Sequence, residues 1–269
     1  MKERNMALSP AELDDLHYAQ ELLESQGLAA KISTMVGAPL EVGLNKLPQS
    51  WHGAIQGATR KSLEKALAVA VATLGGETGM PPTNRRHAIA AGISGAAGGI
   101  FGLPALALEL PVSTTIMLRS IAEIARSQGE DLRLPDARLQ CVQVLALGGR
   151  TDADDRGEAG YFAARAALSK AVSDAAAHLA RYGLSQQGAP ALVRLISQVA
   201  ARFSVVVTEK AAAQAVPVVG ALGGATINTV FIRHFQSMAT GHFIIRRLER
   251  LHGQDEVRRL YEKKYKNTV

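Results

Sequence analysis

Residues 95–111 read GAAGGIFGLPALALELP. They lie inside a longer run, from Ala88 to Leu118, whose only charge is Glu109. Whether that run belongs to a membrane, to a protein core or to the wall of a ligand site decides how the chain is built. Gly95 and Gly99 are four apart, as are Gly98 and Gly102, and far downstream VPVVGALGGATINT (216–229) repeats the device with Gly220 and Gly224. Helices bearing glycine at i and i+4 can approach backbone to backbone. Each such glycine costs ~1 kcal/mol of helix stability against alanine, so several together need a compensating contact. Close, zipper-like helix packing is therefore expected at Gly95, Gly99, Gly102, Gly220 and Gly224.

Three settings compete for these segments. An uncharged run of this length could span a bilayer, which takes ~20 apolar residues. Pro104, Pro111 and Glu109 interrupt it, however, and a carboxylate in hydrocarbon costs at least ~2.5 kcal/mol. The second run is broken by Pro217 and carries Gln214 and Asn228. A soluble helical core in which the two segments cross therefore ranks first, shallow or conditional membrane association second, and true spanning last.

Outward from the Gly-rich stretch, the chain reads as helices. Ser9-Pro10-Ala11-Glu12 is a capping box with proline at the first helical position, and Gly27 closes that helix. A Gly/Pro-rich connector spans 33–50. Leu63, Ala66, Leu67, Ala70 and Val71 then share one helical face up to the break at 74–84. Pro111 is expected to open a helix that Gly129 stops, with Glu109 just before it at the positive end of the dipole. Further helices run from Pro135 to Leu147, from Tyr161 to Gly183, from Pro190 through the locally strand-like FSVVVT (203–208), and from Thr226 to about Leu251. Residues 150–158 read as a polar loop. The expected fold is all-α: one bundle-like domain over 1–269, with an N-terminal helix in 1–32 and a basic helical tail in 246–269.

The totals agree with that class. The 269 residues are 47% hydrophobic but only 4% aromatic, which favours closely packed Ala/Leu helices. With one cysteine, Cys141, no internal disulfide can form, and the N-terminus shows no apolar signal segment, so a cytoplasmic setting is expected. The formal charge is +6, and from Arg246 onward eight Lys or Arg face four Asp or Glu. Arg246, Arg247, Arg250, Arg258, Arg259, Lys263 and Lys264 are thus candidates for an anionic membrane surface, or simply a solvated helix with internal Glu/Arg pairs. Nucleic acid is not expected, because no aromatic platform, zinc spacing or phosphate loop accompanies the charge.

The same residues carry a family resemblance. Residues 47–67 (LPQSWHGAIQGATRKSLEKAL), 92–132, 144–150 with 160–168, and 210–249 resemble, in order, blocks of the EcsC family, a bacterial group named for a protein encoded beside an ABC transporter. The central and last blocks combine Gly, Pro, Glu and Thr in fixed register. The resemblance implies one integrated helical domain and an association with membrane transport or secretion.

The candidate polar cluster is Glu109, Thr114, Thr115 and Arg119, beside Ser113, from the first block. Glu209, Asn228, Thr229 and His234 belong to the last, with His242 two turns beyond His234 on the same face. That spacing is too wide for a helical zinc pair, so no metal site and no cofactor are expected. No GxSxG elbow, HExxH, P-loop or dinucleotide fingerprint occurs. Glu109 has a sufficient structural reason as a helix-dipole partner, His234 as a core histidine and Cys141 as a buried, inert thiol. The leading expectation is a non-enzymatic protein at the cytoplasmic face of a membrane, partnered by an anionic surface or a membrane-protein complex. The first alternative is a small-molecule-binding protein with a pocket between the Gly-rich segments lined by Thr115, Asn228 and His234, or a hydrolase assembled from Glu109, Thr115 and His234. A docking scaffold for a transporter or secretion component is the second.

Overall fold

In the computed structural model, the structure describes residues 8–25, 27–36, 40, 44–45, 47–73, 103–149, 160–184, 189–215 and 224–266. Gly95, Gly99, Gly102 and Gly220, and with them the crossing of the two Gly-rich segments, lie outside that set, as do the break at 74–84 and the loop at 150–158.

Local rules set most of the boundaries. Helix α1 (Pro10–Leu23) starts at the Ser9/Glu12 capping box, with Pro10 at the first position. Helix α2 (Leu28–Val36) follows at once, because Leu28 and Ile32, four apart, both bury. Gly27 therefore precedes a helix, and the connector expected over 33–50 begins only after Val36. Helix α3 is Ser50–Thr73 and α4 is Leu103–Ser127. Pro111 lies inside α4 instead of opening it. Pro104 takes the early turn, where no amide hydrogen is needed, and Pro111 forfeits one bond to the carbonyl of residue 107. Gly129, at φ +80°, turns the chain after α4.

Helix α5 (Pro135–Leu147) matches its expected bounds, and α6 (Gly160–Tyr182) ends at Gly183, φ +59°. Helix α7 (Pro190–Ala215) runs unbroken through FSVVVT. Helix α8 (Gly224–His252) is separated by Gly253, φ +88°, from α9 (Gln254–Lys266). The described residues are all-helical, with no strand among them.

Helix α5 is the axis of the body. Every residue from Leu139 to Leu147 is buried, and α3, α4, α6, α7 and α8 pack around it. A helix enclosed on all sides needs no amphipathic pattern. A phenylalanine layer (Phe203, Phe231, Phe235) joins α7 to α8, with ring centroids 5.2–6.1 Å apart. Close backbone approaches occur at described glycines. A Cβ on Gly149 would lie 2.2 Å from the Arg202 carbonyl oxygen, and one on Gly241 would lie 3.0 Å from that of Ala19. The second contact lets α1 seat on α8.

The C-terminal tail closes the body. Val257 and Tyr261 of α9 are fully buried, and Gln20 of α1 donates to the Tyr261 carbonyl at 3.2 Å. The segment expected as a basic tail is thus the end of α8 followed by a docked amphipathic helix.

Candidate functional site

The inward face of α7 follows the helical stripe Phe203, Val206, Val207, Lys210, at i, i+3, i+4 and i+7. That spacing carries Lys210 into the core, where it has no exposure. Its Nζ donates to both Glu109 oxygens, at 2.9 and 2.8 Å, and to Asn228 Oδ1 at 2.8 Å. The ammonium also lies 4.7 Å from the Phe231 ring centroid. Burial pushes the lysine's pKa down and the Glu109 carboxylate pulls it back up. Three helices, α4, α7 and α8, are tied at this one point. Glu109 is therefore no partner of a helix N-terminus: it stands in the second turn of α4, bound to a cation 101 residues away. A pair this dry costs several kcal/mol per ion to desolvate, which only full hydrogen bonding offsets.

The other expected members separate. His234 donates Nε2–H to the Gly148 carbonyl at 2.9 Å, so its Nδ1 is the acceptor facing Lys31 Nζ at 3.5 Å. Burial is the main cause that lowers its pKa to about 4. Thr115 donates to the Pro111 carbonyl at 2.8 Å and Ser113 to that of Leu110 at 3.2 Å. Thr114 is buried with its hydroxyl unpaired, Arg119 is exposed and Thr229 is partly buried. Among the described residues Glu109, Thr115 and His234 have separate hydrogen-bond partners: Lys210, the Pro111 carbonyl and the Gly148 carbonyl. Of the pocket expected between the Gly-rich segments, the lining residues Thr115, Asn228 and His234 are described, with the partners given above, while Gly95, Gly99, Gly102 and Gly220 lie outside the described residues.

His242 belongs to a second buried network. Its Nδ1 is 2.9 Å from Tyr161 Oη, which Arg165 approaches at 3.4 Å, and Arg165 makes two 2.7 Å bonds to Glu249. Burial holds the imidazole neutral and raises the Tyr161 phenol to about 12. This fork fastens α6 to α8. Cys141 is fully buried and burial raises its thiol pKa, as an inert core residue requires.

Glu209 turns the other way. It is partly buried, accepts from the Ala29 amide at the start of α2, and burial raises its pKa to about 7. It lines a cleft of about 270 Å³ with Leu44, His52, Gln56, Ser204, Val205 and Thr208. A second cleft, of about 410 Å³, is mainly apolar and is lined by Glu64, Leu67, Ala68, Leu184, Leu192, Val193 and Ile196.

The arginines of the tail reach carboxylates. Arg246 bonds Glu130 at 2.8 Å and Asp136 at 3.1 Å; Arg250 bonds Glu130 and the Gln128 carbonyl; Arg247 bonds Asp15 at 2.6 Å. Arg258 and Arg259 pair within α9 with Glu262 and Glu256. Lys263 is exposed, and the Lys264 side chain lies outside the described set.

No metal-binding group of three or more His, Cys, Asp or Glu occurs among the described residues. The stretch Pro190–Gln214 is long and apolar enough by length and composition to cross a membrane. It also packs against α2, α3, α5, α6 and α8, as a core helix does.

No curated protein and no solved structure matches the chain. The model of the EcsC protein family matches residues 13–248, and the chain belongs to that family.

Proposed function

We propose that this EcsC-family protein acts without catalysis at the cytoplasmic face of a membrane, in support of transport or secretion, and that its partner is an anionic lipid surface or a membrane-protein complex. The observation that carries the reading is the two-sidedness of α9. Val257 and Tyr261 fix the helix to the body, while Arg258, Arg259 and Lys263 stand in water. The carboxylates that pair with the two arginines are surface groups on the same helix, and Arg258 also lies over the Phe162 ring at 5.7 Å from its centroid. Such exposed pairs are worth ~0–1 kcal/mol, so lipid phosphates can replace them. Each basic group near an anionic surface contributes ~1 kcal/mol. Arg246, at 16% side-chain exposure between Glu130 and Asp136, has a structural task instead.

Neighbouring surface adds apolar contact. Leu251, at the end of α8, is 64% exposed, and Leu134, before α5, is 57% exposed. Arg246 and Arg250 bind residues 128–136 to α8, and Leu134 and Leu251 lie in the two segments so joined. Such side chains can enter the headgroup layer beside the basic groups.

Flotation of the detergent-free protein with anionic and with neutral vesicles, at low and high salt, tests this. Salt-sensitive flotation with anionic vesicles alone is the expected result. A monodisperse protein that floats with neither vesicle would end the lipid reading, and detergent-resistant capture of a membrane protein would point to the protein partner.

A further inference from the structure

The cleft between α3 and α7 has an unusual hydrogen-bond inventory. Ser204 Oγ donates to the Ala201 carbonyl at 3.0 Å, and Thr208 Oγ1 donates to the Ser204 carbonyl at 2.8 Å. Each hydroxyl has thus committed its only proton and keeps lone pairs. His52 Nδ1 lies 3.2 Å from the Gln49 carbonyl, which can only accept, so the neutral ring carries its proton there and offers Nε2 as an acceptor. Gln56 brings an amide that can turn its oxygen inward. Glu209 brings a carboxylate that accepts from the Ala29 amide, and no cation pairs with it among the described residues. The cleft therefore presents acceptors and one negative charge, with Leu44 and Val205 as apolar wall.

We propose that this cleft binds a small organic ammonium, with Glu209 as counter-ion, Ser204, Thr208 and His52 as acceptors, and Leu44 and Val205 against the ligand's carbon chain. An ammonium brings three donors and no acceptor, the complement of what the cleft leaves open. At about 270 Å³ the space falls just below the ~300–1,000 Å³ of drug-sized pockets, so the ligand is a short amine. A metal ion fits less well, since the cleft supplies one carboxylate and one imidazole where a protein-held metal takes three or four ligands. The site stands independently of the membrane reading, because none of its residues belongs to α9 or to the α8 junction.

Glu209 ionises near neutral pH because burial disfavours its charge, and a cationic ligand requires the charged form. The groups around it are His52 from α3 and the Ala29 amide from α2; Lys210, next in sequence, points to the opposite side, onto Glu109. Affinity for the amine should accordingly rise as pH climbs through 7.

The test is calorimetric titration of the full chain with n-pentylammonium, with pentan-1-ol as the neutral isostere and zinc ion as the metal probe. Saturable binding of the ammonium and not of the alcohol is expected. Glu209→Gln, which can still accept from Ala29, should weaken it roughly 10- to 100-fold and flatten the acid side of its pH profile. Equal binding of the alcohol would make the cleft merely apolar and overturn the proposal. So would unchanged affinity in Glu209→Gln with its fold intact by circular dichroism, zinc binding in place of amine binding, or no saturable binding up to roughly 10 mM.

Discussion

Glu109 and Glu209 stand on opposite sides of α7 and show two ways for a helical protein to hold a carboxylate. Glu109 is closed in on all sides and bound by the ammonium of Lys210, which Asn228 also holds. Glu209, one residue before that lysine, faces a water-accessible cleft with a single backbone amide for support. The first carboxylate has its cation inside the chain and can serve architecture alone. The second bears a desolvation cost that no cation of the described chain offsets, and the ammonium proposed above would offset it. The contrast separates structure from function more cleanly than residue type does.

The comparison breaks first at the interior pair. Lys210→Met should lower unfolding free energy by about 3–5 kcal/mol in urea titration, because it strands a buried carboxylate. Lys210→Met with Glu109→Leu should recover most of that loss, since an apolar pair of similar volume avoids the desolvation cost. A double variant as weak as the single one would show that the ion pair contributes more than mutual neutralisation.

Acid titration sharpens the contrast through His234 and Glu209, whose signs are opposite. His234 ionises at about 4 in the fold against an ordinary 6.5. The unfolded chain therefore binds more protons between those values, and this stability is full above pH 6.5 and lost as pH falls toward 4. The loss should reach up to about 3 kcal/mol, and His234→Gln should flatten it. Glu209 ionises at about 7 against an ordinary 4.5, so its penalty appears as pH rises between the two. Glu209→Gln should consequently stabilise the protein by about 1–2 kcal/mol at pH 8, discounted for partial hydration, and by almost nothing at pH 4. Urea midpoints at the two pH values check both signs.

Much of this architecture is legible in the residues because its signals are local. Ser9 with Glu12 opens α1, Pro135 and Pro190 open α5 and α7, and Gly129 and Gly183 end α4 and α6 at positive φ. Family membership rests likewise on contiguous blocks. Pro111 misleads, since one proline in a long helix forfeits one bond without starting a new helix. Lys210 is hidden for a different reason. Beside Glu209 it looks like half of a surface pair, and only its place on the Phe203, Val206, Val207 stripe marks it as inward. Its partners lie 101 and 18 residues away, where no periodicity reaches. Glu130 and Asp136, which take up Arg246, are equally remote from it.

The smallest stability effect belongs to α9, the surface counterpart of both carboxylates. Arg258→Glu with Lys263→Glu removes the Arg258–Glu262 pair and places like charges on one exposed face. Because that pair is solvated, the cost should stay within about 1 kcal/mol in the same urea titration. Binding should respond far more. Losing two basic groups at ~1 kcal/mol each predicts roughly 30-fold weaker flotation with anionic vesicles at low salt, and the variant's residual binding should vary less with salt. The interior pair is expected to change stability strongly; these exposed groups are expected to change affinity and leave stability nearly alone. If the double variant floats as well as the parent, the basic face of α9 is a solvated helix and nothing more, and the apolar junction at Leu134 and Leu251 becomes the next surface to alter. If it unfolds instead, the charges of α9 belong with Arg246 in the architecture of the body.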